Sequence, residues 1–167
     1  MRSHSYEAHL RWTGSAQGPA IDYKAYSREF EADIPGKPRL IGSSDPAFRG
    51  DPAVHNPEDL LVIALSACHM LTYLALCVRN RITVLEYEDR ATGTMGEHDG
   101  KLRFIEVTLH PDCVVAGDVE LATRLHEESH ADCFIANSVN FPVRNEPKVR
   151  AATSQAEERY SASADRA

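Results

Sequence analysis

The segment from Leu60 to Val78 constrains the fold of this chain more than any other, because it is almost continuously apolar and long enough for a membrane-spanning helix of about 20 residues. Ser66, His69 and Thr72 interrupt the apolar run, and nothing else in the sequence resembles a membrane protein. We therefore expect a helix that is buried on nearly all sides in a protein without a membrane span. A sheet should cover one side of this helix and a second subunit the other.

The start of this helix is marked by a strong capping sequence. Asn56 is a favourable N-cap, Pro57 suits the first helical position, and Glu58 and Asp59 place negative charge at the positive end of the helix dipole. The pattern predicts a helix from this point to about Asn80.

The remaining segments alternate between strand and helix patterns. Strands are predicted over residues 5–13 and 23–32, at Leu40-Ile41 ahead of an irregular loop, over 82–97 and 102–109 around a hairpin turn at 98–100, and over 139–149; a second helix is predicted over 118–131 and a short one from Cys133. This order predicts an α+β fold. We expect one domain over residues 1–149 and a polar, mobile tail over 150–167.

Composition excludes several classes of function. The 167 residues, 43% of them apolar, fit one domain or one protomer of an intimate dimer, and the net charge of −7 argues against a nucleic-acid partner. Four scattered cysteines are too few for a disulfide scaffold, and no leader pattern precedes the first strand. We expect a cytoplasmic protein with reduced thiols, bound neither to membrane nor to nucleic acid.

Two of the cysteines lie in settings that suit redox chemistry. Cys68 is inside the apolar helix, and Cys133 follows the second helical pattern. A thiolate attacks electrophiles, and a nearby positive charge makes the anion available; a second thiol can then resolve the oxidised product. Cys77 falls near the opposite side of the helix from Cys68, and Cys113 falls at the end of a strand, so we interpret both as structural.

The capping sequence and the first redox cysteine together resemble a known family. Asn56-Pro57-Glu58-Asp59-Leu60, followed by Ser66-Ala67-Cys68, is similar to the signature of the OsmC/Ohr family of osmotically inducible and organic hydroperoxide resistance proteins, with more similarity to the OsmC branch. The resemblance covers residues 4–149. It implies antiparallel sheets wrapped around a long buried central helix in an interwoven homodimer. It also implies a thiol-dependent peroxidase, active in the stress response, that reduces organic hydroperoxides.

The same resemblance assigns the site residues. Cys68 would be the peroxidatic thiol, Cys133 the resolving thiol, and Glu58 the carboxylate that orients a catalytic arginine. Arg49, in Phe48-Arg49-Gly50, is the first choice for that arginine. The alternatives are Arg39, Arg28 and Arg11. We expect no cofactor and no metal, and an external dithiol, for which a lipoyl-type dithiol is a candidate, would restore the reduced enzyme.

Helix geometry bears on the assembly. Glu58 and Cys68 are ten residues apart, so on one straight helix they are separated by about 15 Å along its axis. Either a long arginine spans part of that distance, or the carboxylate comes from a partner helix. We favour the second explanation, which makes the homodimer part of the catalytic unit.

Two other functions fit parts of the sequence. His126, Glu127 and His130 match the H-E-x-x-H pattern, which would make the protein a zinc-dependent hydrolase, although no third ligand is evident. A non-catalytic OsmC-like protein that binds small ligands or senses oxidants is the other. His69 points about 100 degrees away from Cys68 around the helix, so we expect it to form core or interface hydrogen bonds rather than to act as the base for Cys68.

Overall fold

A computed structural model of the protein describes residues 3–153. The predicted tail over 150–167 therefore lies mostly outside the described residues. The chain divides into two compact units, one up to Leu61 and one from Val62 onward.

The first unit contains a three-stranded antiparallel meander. Strands β1 (His9–Trp12), β2 (Phe30–Asp33) and β3 (Leu40–Gly42) pair in sequence order. The prediction of a strand over 23–32 is wrong for residues 23–29, because residues 22–26 form a turn and β2 begins only at Phe30. The guanidinium of Arg28 donates to the carbonyls of Tyr23 and Tyr26 and lies 3.8 Å from the Tyr26 ring centroid. These contacts stabilise the turn in place of a strand.

The long helix is confirmed as predicted. Helix α1 extends from Pro57 to Arg79 and crosses the boundary between the two units. The Asn56 side chain accepts from the Asp59 backbone N–H at 2.7 Å, and the Asp59 carboxylate accepts from the Asn56 backbone N–H at 3.4 Å. This reciprocal cap satisfies helix-terminal donors that would otherwise lack partners.

The second unit holds two mixed three-stranded sheets. One contains β4 (Thr83–Asp89), β7 (Pro111–Ala116) and β9 (Lys148–Ala151); the other contains β5 (Thr92–His98), β6 (Lys101–Leu109) and β8 (Val143–Asn145). Strand β4 pairs antiparallel with β7, and β5 pairs antiparallel with β6. Strand β8 pairs in parallel with β6, and β9 pairs in parallel with β7.

Two predictions about these strands need correction. The single strand expected over 82–97 is two strands, β4 and β5, which belong to different sheets. The final strand expected over 139–149 is likewise β8 and β9, and β9 continues to Ala151, beyond the predicted domain end at residue 149. The predicted hairpin is confirmed: Asp99 (φ 53°) and Gly100 (φ 71°) both have the positive φ of a two-residue type I′ turn.

Helix α2 (Val119–Asp132) begins and ends at side chains that the sequence singles out. Asp118 is its N-cap and accepts from the Leu121 backbone N–H at 2.9 Å. Cys133 is its C-cap, so the prediction of a new short helix starting at Cys133 is wrong; a turn follows, and then a 3₁₀ helix over Ala136–Ser138.

The core of the second unit receives one stripe of α1. Leu65, His69, Tyr73 and Cys77, spaced four residues apart, are fully buried. The opposite face is open within the single chain, with Ile63, Leu71 and Val78 exposed by 50%, 62% and 72%. By length and composition α1 is a possible membrane span, but a stripe packed into a sheet-and-helix core is typical of a core helix.

A candidate dithiol site

The thiol of Cys68 lies close enough to that of Cys133 to raise its pKa. Cys68 is half-buried in the middle of α1, and Cys133, 1% exposed, is the C-cap of α2. Burial is the main cause that raises the pKa of Cys133 to about 11, and the Cys68 thiol raises it further, against backbone hydrogen bonds from Ala136 and Ile135. Cys133 is therefore a neutral thiol near pH 7, and Cys68 is the sulfur that an incoming molecule can reach.

Cys68 opens into a groove of about 820 Å³. Most of the side chains that line it are apolar: Ala64, Leu71, Ala75, Leu76, Phe134 and Ile135. The polar or charged lining residues are Thr72, Arg79 and Asp132. Phe134 is 80% exposed. A groove of this volume and character suits a small apolar ligand rather than a highly hydrated one.

Arg49 lies in the first unit on a well-defined loop. It ends the 3₁₀ helix Pro46–Phe48 with a left-handed φ of 69°, and its side chain is exposed. Asp45 caps that helix by accepting from the Ala47 backbone N–H at 2.7 Å. A Cβ at Gly50 would lie 1.5 Å from the carbonyl oxygen of Ser44, so only glycine fits directly after Arg49. The sequence around Arg49 thus builds a rigid turn that presents its guanidinium.

Glu58 lies at the first turn of α1, also in the first unit. Its Oε2 is buried and has no hydrogen-bond partner among the described residues. A buried carboxylate oxygen without a donor is costly, which indicates that Glu58 interacts with a further group in the working protein. Glu58 lines an apolar cavity of about 760 Å³.

The alternative arginines differ in their availability. Arg11 and Arg39 both pair with Glu31, at 2.5 and 3.0 Å, and Arg39 also pairs with Asp33 at 2.9 Å. Arg28 lines the same cavity as Glu58. Although its guanidinium donates to the carbonyls of Tyr23 and Tyr26, Arg28 is the alternative to Arg49 that lies beside Glu58.

A buried histidine pair, which the sequence analysis did not find, lies next to the dithiol. His69 Nε2 and His126 Nδ1 are 3.0 Å apart, His126 Nε2 is 3.7 Å from Cys113 Sγ, and the His126 ring stacks on Tyr73 with centroids 3.8 Å apart. Burial is the main cause that lowers the pKa of His69 to about 4 and of His126 to about 3. The four-residue stripe of α1 was the available signal, since it placed His69 on the core face.

This arrangement weighs against the zinc hydrolase. Both ring nitrogens of His126 contact protein groups, and Glu127 is exposed while His126 is buried. Within residues 3–153, no cluster of three or more His, Cys, Asp or Glu side chains is arranged to hold a metal ion. The placement of His126 and Glu127 therefore does not favour a zinc site built on the H-E-x-x-H pattern.

The family description that matches this chain is "OsmC-like protein", over residues 50–148. The chain belongs to the OsmC-like family. That range begins at Gly50, directly after Arg49, and contains the capping sequence of α1 and both thiols of the site. No curated protein matches the chain significantly.

Solved structures of OsmC-like proteins have the same fold. An OsmC-like protein of unknown function from Vibrio cholerae is 30% identical with a TM-score of 0.79, over 87% of this chain and 99% of that one. An organic hydroperoxide resistance protein from Elizabethkingia anophelis is 20% identical (TM-score 0.64, 90% and 100% covered), and OhrB of Bacillus subtilis is 17% identical (TM-score 0.60, 88% and 98% covered). At these lower identities the similarity shows the shared fold.

Proposed function

We propose that this OsmC-like protein is a thiol-dependent peroxidase that reduces organic hydroperoxides to alcohols. The observation that carries the proposal is the closeness of a half-buried thiol in a mostly apolar groove to a buried second thiol, near enough for the first to raise the pKa of the second. A structural cysteine needs neither the groove nor the second thiol. Two resistance proteins against organic hydroperoxides with the same fold support the substrate class.

The reaction begins at Cys68. Its thiolate attacks one oxygen of the ROOH group, the O–O bond breaks, and the leaving alkoxide takes a proton to become ROH. Cys68 is then a sulfenic acid. The alkyl group of the substrate stabilises binding by apolar contact with Leu71, Phe134 and Ile135.

Cys133 completes the cycle. Its sulfur attacks the sulfenic sulfur of Cys68, a disulfide forms, and the oxygen leaves as water. Two electrons and two protons from an external dithiol then reduce the disulfide; a lipoyl-type dithiol is the candidate for this reductant. Because Cys133 is already in contact with Cys68, condensation precedes overoxidation by a second peroxide.

The family resemblance supplies the remaining roles. Arg49 stabilises the thiolate and the developing alkoxide with its guanidinium, and Glu58 orients that arginine. The unpartnered buried oxygen of Glu58 supports a role in holding a cation. Arg28 is the alternative because it lines the same cavity as Glu58.

The proposal includes a homodimer in the cytoplasm. The apolar face of α1 that carries Ile63, Leu71 and Val78 is exposed in the single chain, and a second copy of the chain is the natural cover for it. The single chain buries only one stripe of α1, so the expected burial on nearly all sides depends on this proposed dimer.

A steady-state assay tests the proposal against the non-catalytic alternative. Purified protein with cumene hydroperoxide and dihydrolipoamide should consume peroxide catalytically, and treatment with a chelator should leave the rate unchanged. Binding of the peroxide without its consumption would instead favour a ligand-binding or oxidant-sensing protein. Loss of activity in a chelator would instead favour the zinc-dependent alternative that uses His126 and His130.

A further inference from the structure

We infer that His69 and His126 are positioning residues whose mutual hydrogen bond holds the thiols of Cys68 and Cys133 in contact. The inference rests on the proposed function for its biological meaning, but the hydrogen bond and its effect on the disulfide are measurable without peroxidase activity. Neither histidine touches the thiols or the substrate groove.

The two histidines are placed beside the two thiols, one on each helix. His69 directly follows Cys68 on α1, and His126 lies on α2 seven residues, or about two turns, before its C-cap Cys133. Their 3.0 Å contact is the one side-chain hydrogen bond that joins α1 to α2 within residues 3–153. It therefore fixes the separation of the helices at the residue after Cys68 on α1 and about two turns before Cys133 on α2.

Further contacts hold each end of this link. His126 stacks on Tyr73, its backbone carbonyl accepts from the Asn145 side chain at 3.2 Å, and its second nitrogen faces Cys113. At the C-terminal end of α2, the Asn137 side chain donates to the carbonyls of Ala131 and Cys133 at 2.8 and 3.1 Å. Cys133 therefore moves with α2, and a shift of α2 relative to His69 changes the distance between the thiols.

Both histidines are neutral, so the bond needs a matched pair of tautomers. If His69 Nε2–H donates to His126 Nδ1, then His126 Nε2–H points to the sulfur of Cys113, and only an acceptor, His69 Nδ1, is left without a partner. The opposite direction would leave a buried N–H unpaired, which is rarer in proteins. We assign the first arrangement. It also makes Cys113 an acceptor, consistent with a pKa that burial raises to about 12.

Amide substitutions separate the hydrogen bond from the rest of the imidazole. A glutamine at position 69 places its amide near the position of Nε2, whereas an asparagine is one carbon too short to reach it. At position 126 the contact uses Nδ1, so asparagine matches the nitrogen and glutamine does not. All four variants lose the ring, its stacking and its titration, and only two lose the bond.

The decisive measurement is the equilibrium of the Cys68–Cys133 disulfide with glutathione, followed by alkylation and mass spectrometry. H69N and H126Q should lower the disulfide formation constant about tenfold relative to H69Q and H126N, the factor that one net hydrogen bond accounts for. Equal constants within both pairs would overturn the inference. If the disulfide formation constants differ as expected but the unsubstituted protein does not turn over peroxide, the proposed function is wrong and this inference stands.

A measurement on the unsubstituted protein guards against variants that do not fold. Reduced protein labelled with ¹⁵N in its histidines should show a scalar coupling across the hydrogen bond between His69 Nε2 and His126 Nδ1. The absence of that coupling at pH 7 would overturn the inference whatever the variants do.

Discussion

The thiol of Cys133, at the end of α2, lies near the thiol of Cys68, in the middle of α1, and its pKa is raised by that neighbour. One sulfur is buried and the other opens into an apolar groove. This asymmetry predicts different consequences for the loss of each thiol.

We expect C68S to abolish peroxide consumption, and C133S to allow one oxidation per protomer without turnover, followed by overoxidation when peroxide is in excess. Without Cys133, the sulfenic acid at Cys68 has no thiol in contact and proceeds to sulfinic acid. Intact-protein mass spectrometry after one and after ten equivalents of cumene hydroperoxide measures both products. C77S and C113S are matched controls, and a C68S protein with the unsubstituted rate would contradict the assignment.

We expect R49A to lower kcat/KM for cumene hydroperoxide about a hundredfold, because one fixed donor to a developing oxyanion contributes on that scale. R39A is the matched control, since Arg39 already pairs with Glu31 and Asp33. If R49A retains the rate and R28A loses it, Arg28 rather than Arg49 carries the catalytic role. E58Q should also lower kcat/KM, because Glu58 orients the catalytic arginine.

Stability should fall in mild acid because of the buried histidines. The pKa values of His69 and His126 in the folded protein are about 4 and about 3, below the unfolded value near 6.5, so the unfolded chain binds more protons between these limits. The free energy of unfolding should therefore be constant above pH 6.5 and fall below it, by about 2 kcal/mol for each histidine at pH 5.

Urea unfolding between pH 4.5 and 8 measures this slope. H69Q removes one of the two titrating rings and should reduce the loss between pH 7 and 5, whereas H98Q, in the exposed hairpin turn, should leave it unchanged. An identical pH dependence in H69Q and the unsubstituted protein would contradict the prediction.

We expect V78K and I63K to convert a dimer to a monomer, because each places a charge on the exposed apolar face of α1. Light scattering coupled to size exclusion measures the mass. L102K is the control, since Leu102 is a similarly exposed apolar residue, at 55%, on β6. A monomeric unsubstituted protein, or dimers in all three variants, would show that this face has another purpose.

We expect F134A to lower kcat/KM for cumene hydroperoxide several-fold and to leave the rate with hydrogen peroxide unchanged. Phe134 is 80% exposed and lines the groove beside Cys68, so its ring contributes contact area to a bulky substrate and little to folding. Equal losses with both peroxides would indicate that the groove does not bind the alkyl group.

Local features of this fold were predictable from the sequence because nearby residues determine them. The capping residues Asn56 and Pro57 locate the start of α1, and Asp99 with Gly100 locates the hairpin turn, since both depend on hydrogen bonds and backbone angles within a few residues. The choice of Cys68 and Cys133 as the proposed redox cysteines came from their spacing and from the family resemblance.

Other features depended on partners far away in sequence. The segment over 82–97 reads as one strand, yet it contributes to two sheets, because β7 pairs with one half and β6 with the other. No local pattern states which strand is available as a partner. The same holds for β8, which pairs in parallel with β6, and for β9, which pairs in parallel with β7.

The sequence by itself determined the α+β class, the extent of the central helix and which thiols to consider. Only the tertiary structure decided that His69 would meet His126, that Glu58 would keep a buried oxygen without a donor, and that Cys133 would end α2 in contact with Cys68. The physical reason is that caps, turns and apolar periodicity are local interactions, whereas burial and side-chain contacts between elements exist only once the chain has packed.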